Sequence, residues 1–460
     1  MNSLKLIILT ALLPAFLILP QKASKITITG DRLEGIEVNG EKLRTVAGNV
    51  VLTQDNIRIV CDSAIQYLER NDAELIGDVV ITQENLTIRT PRGFYYGNEK
   101  RAFSRNRVEL DDKKVYLTAV IGEYLFKQNL AKFENTVELR DSVSTLYCAK
   151  LDYYRDSSKA VSVGDVKIVD TENIIEADSL IHYRSLRETY GYGNILIKNQ
   201  KDNILITGER LADYRLRNYS RIDSLPVLIQ PDTSGSVPDT LLMTALVMEA
   251  YRDSGTKLIA TDSVKMLSND FASVNDITIY TREPEQIMLY KVNKERPQPV
   301  MWVDNSQLTG DTIIVDITAR KISLLRLLNN AAIVSVNDTF PLRYDQITGG
   351  RITHNFIEGK ITRTDIDGNM ISIYYLYEEG KPKGLIKSSS VSGSVYFENG
   401  RVKDVKLFGT PVSEYHPEKV VRNRERSYLL PRFYLNENKP SRSIFTELLI
   451  KNKNLLKYAR

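Results

Sequence analysis

The sequence predicts an all-β chain, an elongated solenoid of stacked strands. Three observations carry that prediction. A unit of 29 residues repeats six times in unbroken register, with starts at Gly48, Gly77, Asn106, Asn135, Gly164 and Gly193. A fixed period of this size marks a stacked repeat architecture. Within each unit, apolar residues alternate with mixed and often polar ones, as in Gly48-Asn-Val-Val-Leu-Thr-Gln and Asn135-Thr-Val-Glu-Leu-Arg-Asp. Alternation of that kind, with Val and Ile favoured, is the pattern of a half-buried strand. Finally, Lys25 to about Val412 holds no convincing helical pattern.

The repeat has columns with physical content. The first column is Gly or Asn throughout, the residues that most readily enter the left-handed backbone region, so a tight corner is expected there. The third column is Val50, Val79, Val108, Val137, Val166 and Ile195. The fifth is Leu52, Ile81, Leu110, Leu139, Ile168 and Ile197, and the twelfth is Ile59, Ile88, Leu117, Leu146, Ile175 and Ile204. These 18 side chains are expected to point inward. Burial at roughly 1.5–3 kcal/mol each is enough to sustain a core. A Tyr column follows at Tyr67, Tyr96, Tyr154 and Tyr183, with Leu125 and Ala212 in its other places. The columns alone leave open whether the interior is filled or leaves a trough.

The remaining elements are taken in chain order. Residues 1–23 read as a secretory signal. Lys5 supplies the positive region, Leu6 to Pro20 is an apolar run too short for a comfortable membrane span, and cleavage is expected after Ala23, with an uncleaved anchor as the alternative. Lys25 to Ala47 is a lead-in with two strands, Ile26-Thr-Ile-Thr and Leu33-Glu-Gly-Ile-Glu-Val, acting as an atypical cap. The repeats and their lead-in make one region, 24–222. A continuation with longer repeats is expected over 223–417. It opens with a Pro- and Gly-rich loop from Leu225 to Thr240, resumes at Leu241, and has a unit start at Asp262. Glu283 to Pro299 reads as a second loop. Segments at Gly310, Gly349 and Ser392 align as strand, turn and return strand, and Asn399-Gly400 is the strongest hairpin signal in the chain.

The tail, 418–460, changes character. It holds 11 Lys/Arg and 4 Asp/Glu, a local charge of +7, so the rest of a chain of net charge +4 sums to −3. Ser443 to Lys457 could form a short amphipathic helix, or the tail could be solvated and flexible. A role in docking to an acidic partner or a membrane surface is the functional expectation.

Charge and motifs exclude several classes. There is no basic body with interleaved aromatics, so nucleic acid is not expected as a partner. The three histidines, His182, His354 and His416, have no metal-ligand spacing with one another or with cysteine. No nucleophile-elbow, zinc-protease or phosphate-loop motif occurs. The chain is therefore expected to be no enzyme and to need no metal or cofactor. Cys61 and Cys148 lie 87 residues apart, three repeats, in one column. Three stacked units separate them by at least about 14 Å at the usual strand spacing, beyond the reach of a disulfide.

The Gly-Asn/Asp-Val-x-Leu/Ile unit starts, as in Gly48-Asn-Val-Val-Leu and Gly77-Asp-Val-Val-Ile, together with the inward columns and the signal sequence, resemble the OstA-like family. That family includes LptA, LptC and the periplasmic domain of LptD. Ile371-Ser-Ile-Tyr-Tyr-Leu-Tyr377 and Ile386-Lys-Ser-Ser-Ser extend the likeness, which runs from about Ile26 to Pro417. The resemblance implies a β-jellyroll of antiparallel strands in the periplasm. It implies lipopolysaccharide as ligand, its acyl chains against the inward columns, and end-to-end pairing of edge strands with other proteins of the family. The body is longer than a typical LptA, and the chain after Pro417 is too short for an outer-membrane barrel. Two other readings stay open: a structural or adhesive solenoid with a packed core and no lipid, and a carbohydrate-active β-helix with paired acids on one face.

Overall fold

The computed structural model describes residues 24–458 apart from 202, 233–238, 254–255, 320 and 399–400. The signal segment, 1–23, and the Asn399-Gly400 turn lie outside the described residues. Glu398 pairs with Arg401 on either side of that turn. The chain forms two compact units, divided between Asn129 and Leu130. Strand pairing runs unbroken through the expected border at 222/223, where Arg210 faces Asp223 and Thr207 faces Val227.

Among the described residues the first unit holds ten strands, from Thr27–Thr29 to Ile121–Leu125, and the second twenty-two, from Leu130–Arg140 to Val412–Pro417. All pairings within each unit are antiparallel, and most neighbours follow one another in sequence. Long strands bend at mid-length. Each bend is a register shift, for example between Ala47 and Val50 or between Val163 and Val166. Each unit is thereby divided into two facing sheets with a jellyroll cross-section.

The bends explain the repeat's first column. Gly48, Gly77, Asn135, Gly164 and Gly193 all have positive φ, between 66° and 83°. The second column joins them: Asn49, Asp78, Thr136, Asp165 and Asn194 are also left-handed. In the third unit the pattern is reduced, with Arg107 at φ 42° and Asn106 not left-handed. The same two-residue corner recurs beyond the six units at Asp262-Ser263, Asn329-Asn330 and Gly368-Asn369. The segments that open at Gly310 and Gly349 pair as strand, turn and return strand, Thr318 with Lys321 and Ile357 with Lys360, and the left-handed corners lie elsewhere, at Asn329 and Gly368. Return strands bend by a different device. In Ile57–Tyr67 the buried positions are Ile57, Ile59 and Cys61, then Ala64 and Gln66, so the parity flips across the bend. A one-residue bulge keeps the concave side concave on both halves.

Two expected loops contain strands. Leu225 to Thr240 contains Val227–Asp232, which pairs with Asp239–Thr244 around the undescribed residues. Pro231 is accommodated near the end of that hairpin, where a missing N–H disturbs least. Glu283 to Pro299 contains the strand Glu285–Tyr290. Its Ile287 and Leu289 are buried, and two neighbours pair with it.

The tail is packed against the second unit. Three short helices punctuate it: α1 (Glu418–Val421), α2 (Arg442–Leu449) and α3 (Lys453–Tyr458). The expected single helix from Ser443 is broken at Ile450–Asn452.

Candidate functional site

The inward columns meet as a continuous apolar ladder in each unit. In the first, Leu52 faces Ile59, Ile59 faces Ile81, Ile81 faces Ile88, Ile88 faces Leu110 and Leu110 faces Leu117. In the second, Leu139 faces Leu146, Leu146 faces Ile168, Ile168 faces Ile175 and Ile175 faces Ile197. Directly opposed residues in an antiparallel pair share one face. Of the 18 expected positions, 16 are buried at 8% exposure or less, with Val50, Leu110, Leu117 and Ile195 at 0%. The other two, Ile197 and Ile204, are half-buried.

The sixth unit departs from the expected columns. Ile206, not Ile204, stands opposite Ile197, and Tyr214, not Ala212, stands opposite Glu188 where the Tyr column falls. Two extra residues in the preceding turn shift the return strand. Ile204 keeps the same parity and lies closer to the turn.

Third-column residues sit at the bend, next to the register shift. Their partners are small: Val50 faces Cys61, Val79 faces Thr90, Val108 faces Ala119, Val137 faces Cys148, Val166 faces Ala177 and Ile195 faces Gly208. This accounts for the two cysteines. Both are free and buried. Burial pushes the Cys61 thiol up to about 11 and that of Cys148 up to about 12.

The facing sheet contributes an inward row that the repeat does not announce. Val46 faces Ala64 and Leu75 faces Gly93 in the first unit; Phe133 faces Leu151, Ser162 faces Leu180 and Gly191 faces Leu211 in the second. Its residues range from Gly93 and Gly191 to Phe133, so no single residue type marks the column. Tyr67, Tyr96, Tyr154 and Tyr183 lie on the opposite, outer face. Cations cover them: Arg70 lies 4.2 Å from the Tyr67 ring centre, Arg101 3.9 Å from that of Tyr96, and Lys159 5.4 and 5.6 Å from those of Tyr154 and Tyr183.

Two of the three histidines, His182 and His354, are held by neighbouring threonines. Nδ1 of His182 lies 2.9 Å from the Thr189 hydroxyl and Nδ1 of His354 lies 2.8 Å from that of Thr364. Burial lowers both rings to about 4, so both are neutral at physiological pH. Among the described residues no group of His, Cys, Asp and Glu is placed to hold a metal ion, and no helix is long and apolar enough to cross a membrane.

The outer face of the second unit is covered by the tail. Val227, Leu242, Trp302, Gln307, Gln346, Ile373, Tyr375 and Leu385 point away from the interior yet are buried. Val421 and Leu430 pack on Ile373, Tyr375 and Leu385, and Phe445 packs on Val227 and Leu242. Two glutamines read the tail's backbone. The Gln346 amide donates to the Tyr428 carbonyl at 3.3 Å and accepts from Leu430 N–H at 2.8 Å. Gln307 does the same for Tyr434 and Asn436, each at 2.7 Å. At the far end, the side-chain amides of Asn452 and Asn454 donate to the carbonyls of Ile195 and Asn194, while Lys453 pairs with Asp178. Sequence reasoning missed this face; its one signal is the apolar-plus-Gln spacing on strands whose inward positions are already filled.

Fold and interior define a class: a jellyroll repeat that encloses an apolar ladder. Residues 24–178 match the family described as OstA-like protein. Among solved structures, the chain is similar to LptH, the LptA-homologous periplasmic component of the lipopolysaccharide transport device of Pseudomonas aeruginosa. That likeness has 11% identity and a TM-score of 0.17, and covers 32% of this chain and 94% of the other. No curated protein matches the chain.

Proposed function

We propose that the chain is a periplasmic lipopolysaccharide-binding bridge, carrying lipid A acyl chains along its inward columns towards the outer membrane. The observation that carries the reading is the unbroken Val/Leu/Ile ladder inside an OstA-like fold. An acyl chain entering it gains roughly 0.8 kcal/mol per buried CH₂, and the anionic head group stays in water. The process is passive, so net movement needs an external motor. No catalytic step is part of this reading.

Further partners follow from exposed surfaces. Among the described residues, Arg32–Val38 is paired along one edge only, to Glu41–Ala47, and exposes Leu33, Ile36 and Val38. Val412–Pro417 pairs only with Lys381–Glu398 and exposes Val412 and Tyr415. Such edges accept a strand of another OstA-like protein. On the tail, Arg422, Arg424, Arg426 and Lys451 face solvent and would meet an anionic membrane surface.

The near-complete burial of the columns favours a second reading, a structural solenoid whose core is packed and takes no lipid. Photo-crosslinking in cells separates the two. A photoreactive residue replaces Ile88 or Leu117 inside, with Arg89 and Thr118 on the opposite face as controls. Lipopolysaccharide adducts at the inward sites alone are expected; no adduct there, in folded and exported protein, leaves the packed solenoid.

A further inference from the structure

We infer that the second unit contains a yielding stretch of interior that holds an oxygen-bearing acyl chain, with the Ser273 hydroxyl as its polar contact. This rests on the lipid-carrying reading above and specifies where and how the interior of this chain admits ligand.

The inward ladder continues from Ile206 through Leu228, Met243, Met266, Ser273, Met301 and Leu308. From the facing sheet come Ile222, Met248, Ala260 and Thr278. Up to Ile204 the expected columns hold only Val, Leu and Ile. Apart from Met1, every methionine of the chain lies between Met243 and Met370. Met243, Met248, Met266 and Met301 are 2% exposed or less. β-Branched Val and Ile have one preferred rotamer, so a core made of them opens only if its sheets part. Methionine is unbranched and rearranges within its own volume. With Ala260, Ser273 and Thr278 beside them, the methionines can move aside for a chain without movement of the backbone.

The polar contact is independent of that argument. Ser273 is fully buried and its Oγ has no hydrogen-bond partner. Its ladder neighbours are Met266 and Met301. An unpaired hydroxyl in an apolar core is left without the hydrogen bonds it makes in water, at a cost in stability. An ester or hydroxyl oxygen near the head of an acyl chain would satisfy it. The tail holds the outside of the same sheet: Phe445 packs on Leu242, Arg442 donates to the Asn269 side chain at 3.2 Å, and Gln307 clamps Tyr434. With the backbone strapped from outside, the side chains inside are the part that gives.

The test labels the full mature chain with a long-chain fatty acid carrying a diazirine, with and without a hydroxyl near its carboxyl, and maps adducts by peptide. Labelling of the peptides bearing Met243, Met266 and Met301 is expected, about fivefold stronger for the hydroxylated probe, the worth of one net hydrogen bond. Ser273→Ala should abolish the preference, bringing labelling by the two probes to the same level. Met266→Ile, which keeps the volume and adds branching, should reduce labelling by both probes. Adducts confined to peptides bearing Leu52 to Ile175 would overturn this inference and leave the lipid-carrying reading standing. Equal labelling of the methionine peptides by both probes would overturn the role of Ser273. No adduct anywhere would overturn both readings.

Discussion

The Arg343 guanidinium grips both carboxylate oxygens of Glu418, at 2.9 and 2.7 Å, and reaches Glu425 at 3.3 Å. The arginine side chain is 6% exposed and the two glutamates 16% and 14%. Phe340 and Tyr375 flank it, their ring centres 5.3 and 5.5 Å from the guanidinium. This trio fixes the first turn of the tail onto the body.

Removing the cation strands two carboxylates in a half-dry site. Breaking a buried pair from one side costs about 3–5 kcal/mol. Arg343→Ala is therefore expected to release the near end of the tail, read as faster amide exchange from Glu418 to Leu430. Acid should do the same to the native chain. Arg343 holds the Glu418 carboxyl below its ordinary value of 4.5. A lowered folded value stabilises at pH above the unfolded one, and the contribution is lost as pH falls through the folded value. Protease sensitivity of the tail should thus rise below about pH 4.5 in the native chain, and this acid-induced rise should be missing in Arg343→Ala.

Two residues on, Asp345 behaves with the opposite sign. Burial raises its carboxyl to about 6, although Tyr375 N–H donates to it at 2.8 Å. Between its ordinary value and 6 the folded chain holds a proton that the unfolded chain does not. Stability from this group therefore grows as pH falls from 6 towards 4 and is lost above 6. Asp345→Asn keeps an acceptor for Tyr375 and removes the charge. It should stabilise the protein at pH 8 by on the order of 1–3 kcal/mol. Chemical denaturation at pH 8 and pH 5 checks this, since the mutant's gain should shrink at the lower pH.

Much of this was legible in the sequence, and the rest was hidden for physical reasons. The three columns could be read because stacking forces Val50, Val79 and Val108 into equivalent environments. The corner could be read from its glycines. Its second residue is Asn or Asp in four of six units, types that favour the left-handed region, but Arg107 and Thr136 blur that signal. The shift in the sixth unit was invisible because Ile204 and Ile206 are both Ile and differ only in register. Loops at Leu225 and Glu283 were over-read from their prolines, which sit near hairpin turns and outside Glu285–Tyr290. The tail's docking rests on contacts such as Gln346 with Leu430, 84 residues apart, which no local pattern encodes. For the candidate site, the ladder was legible; the methionine stretch carried a compositional signal that the six-unit repeat does not reach.

The cysteine column gives a chemical prediction. Thiolate is the reactive form, and burial keeps both thiols protonated well above neutrality. The native protein at pH 8 should give almost no reaction with a thiol-specific chromogenic reagent. In denaturant, both Cys61 and Cys148 should react, at two thiols per chain. Fewer than two would mean that the cysteines are bonded and that the small-residue explanation of their column fails.

Phe445 tests the far end of the tail separately. It is 0% exposed on a helix of eight residues, too short to be stable without its packing. Its ring fills a hollow made by Val227 and Leu242, with Ile229 and Leu267 beside them. Truncating a buried Phe to Ala costs about 3–5 kcal/mol, more than α2 could recover from its remaining contacts through Leu448 and Leu449. Phe445→Ala should free α2 and α3 together, because Asn452 and Asn454 are held to Ile195 and Asn194 only while α2 brings them there. Amide exchange should accelerate from Arg442 to Leu456 and stay slow from Val421 to Leu430, which is anchored by Arg343 and Gln346. Phe445→Leu, which keeps most of the volume, should show a smaller effect over the same residues. If exchange accelerated along the whole tail, the two anchors would be one cooperative unit, and the double substitution with Arg343→Ala would then add little to either alone.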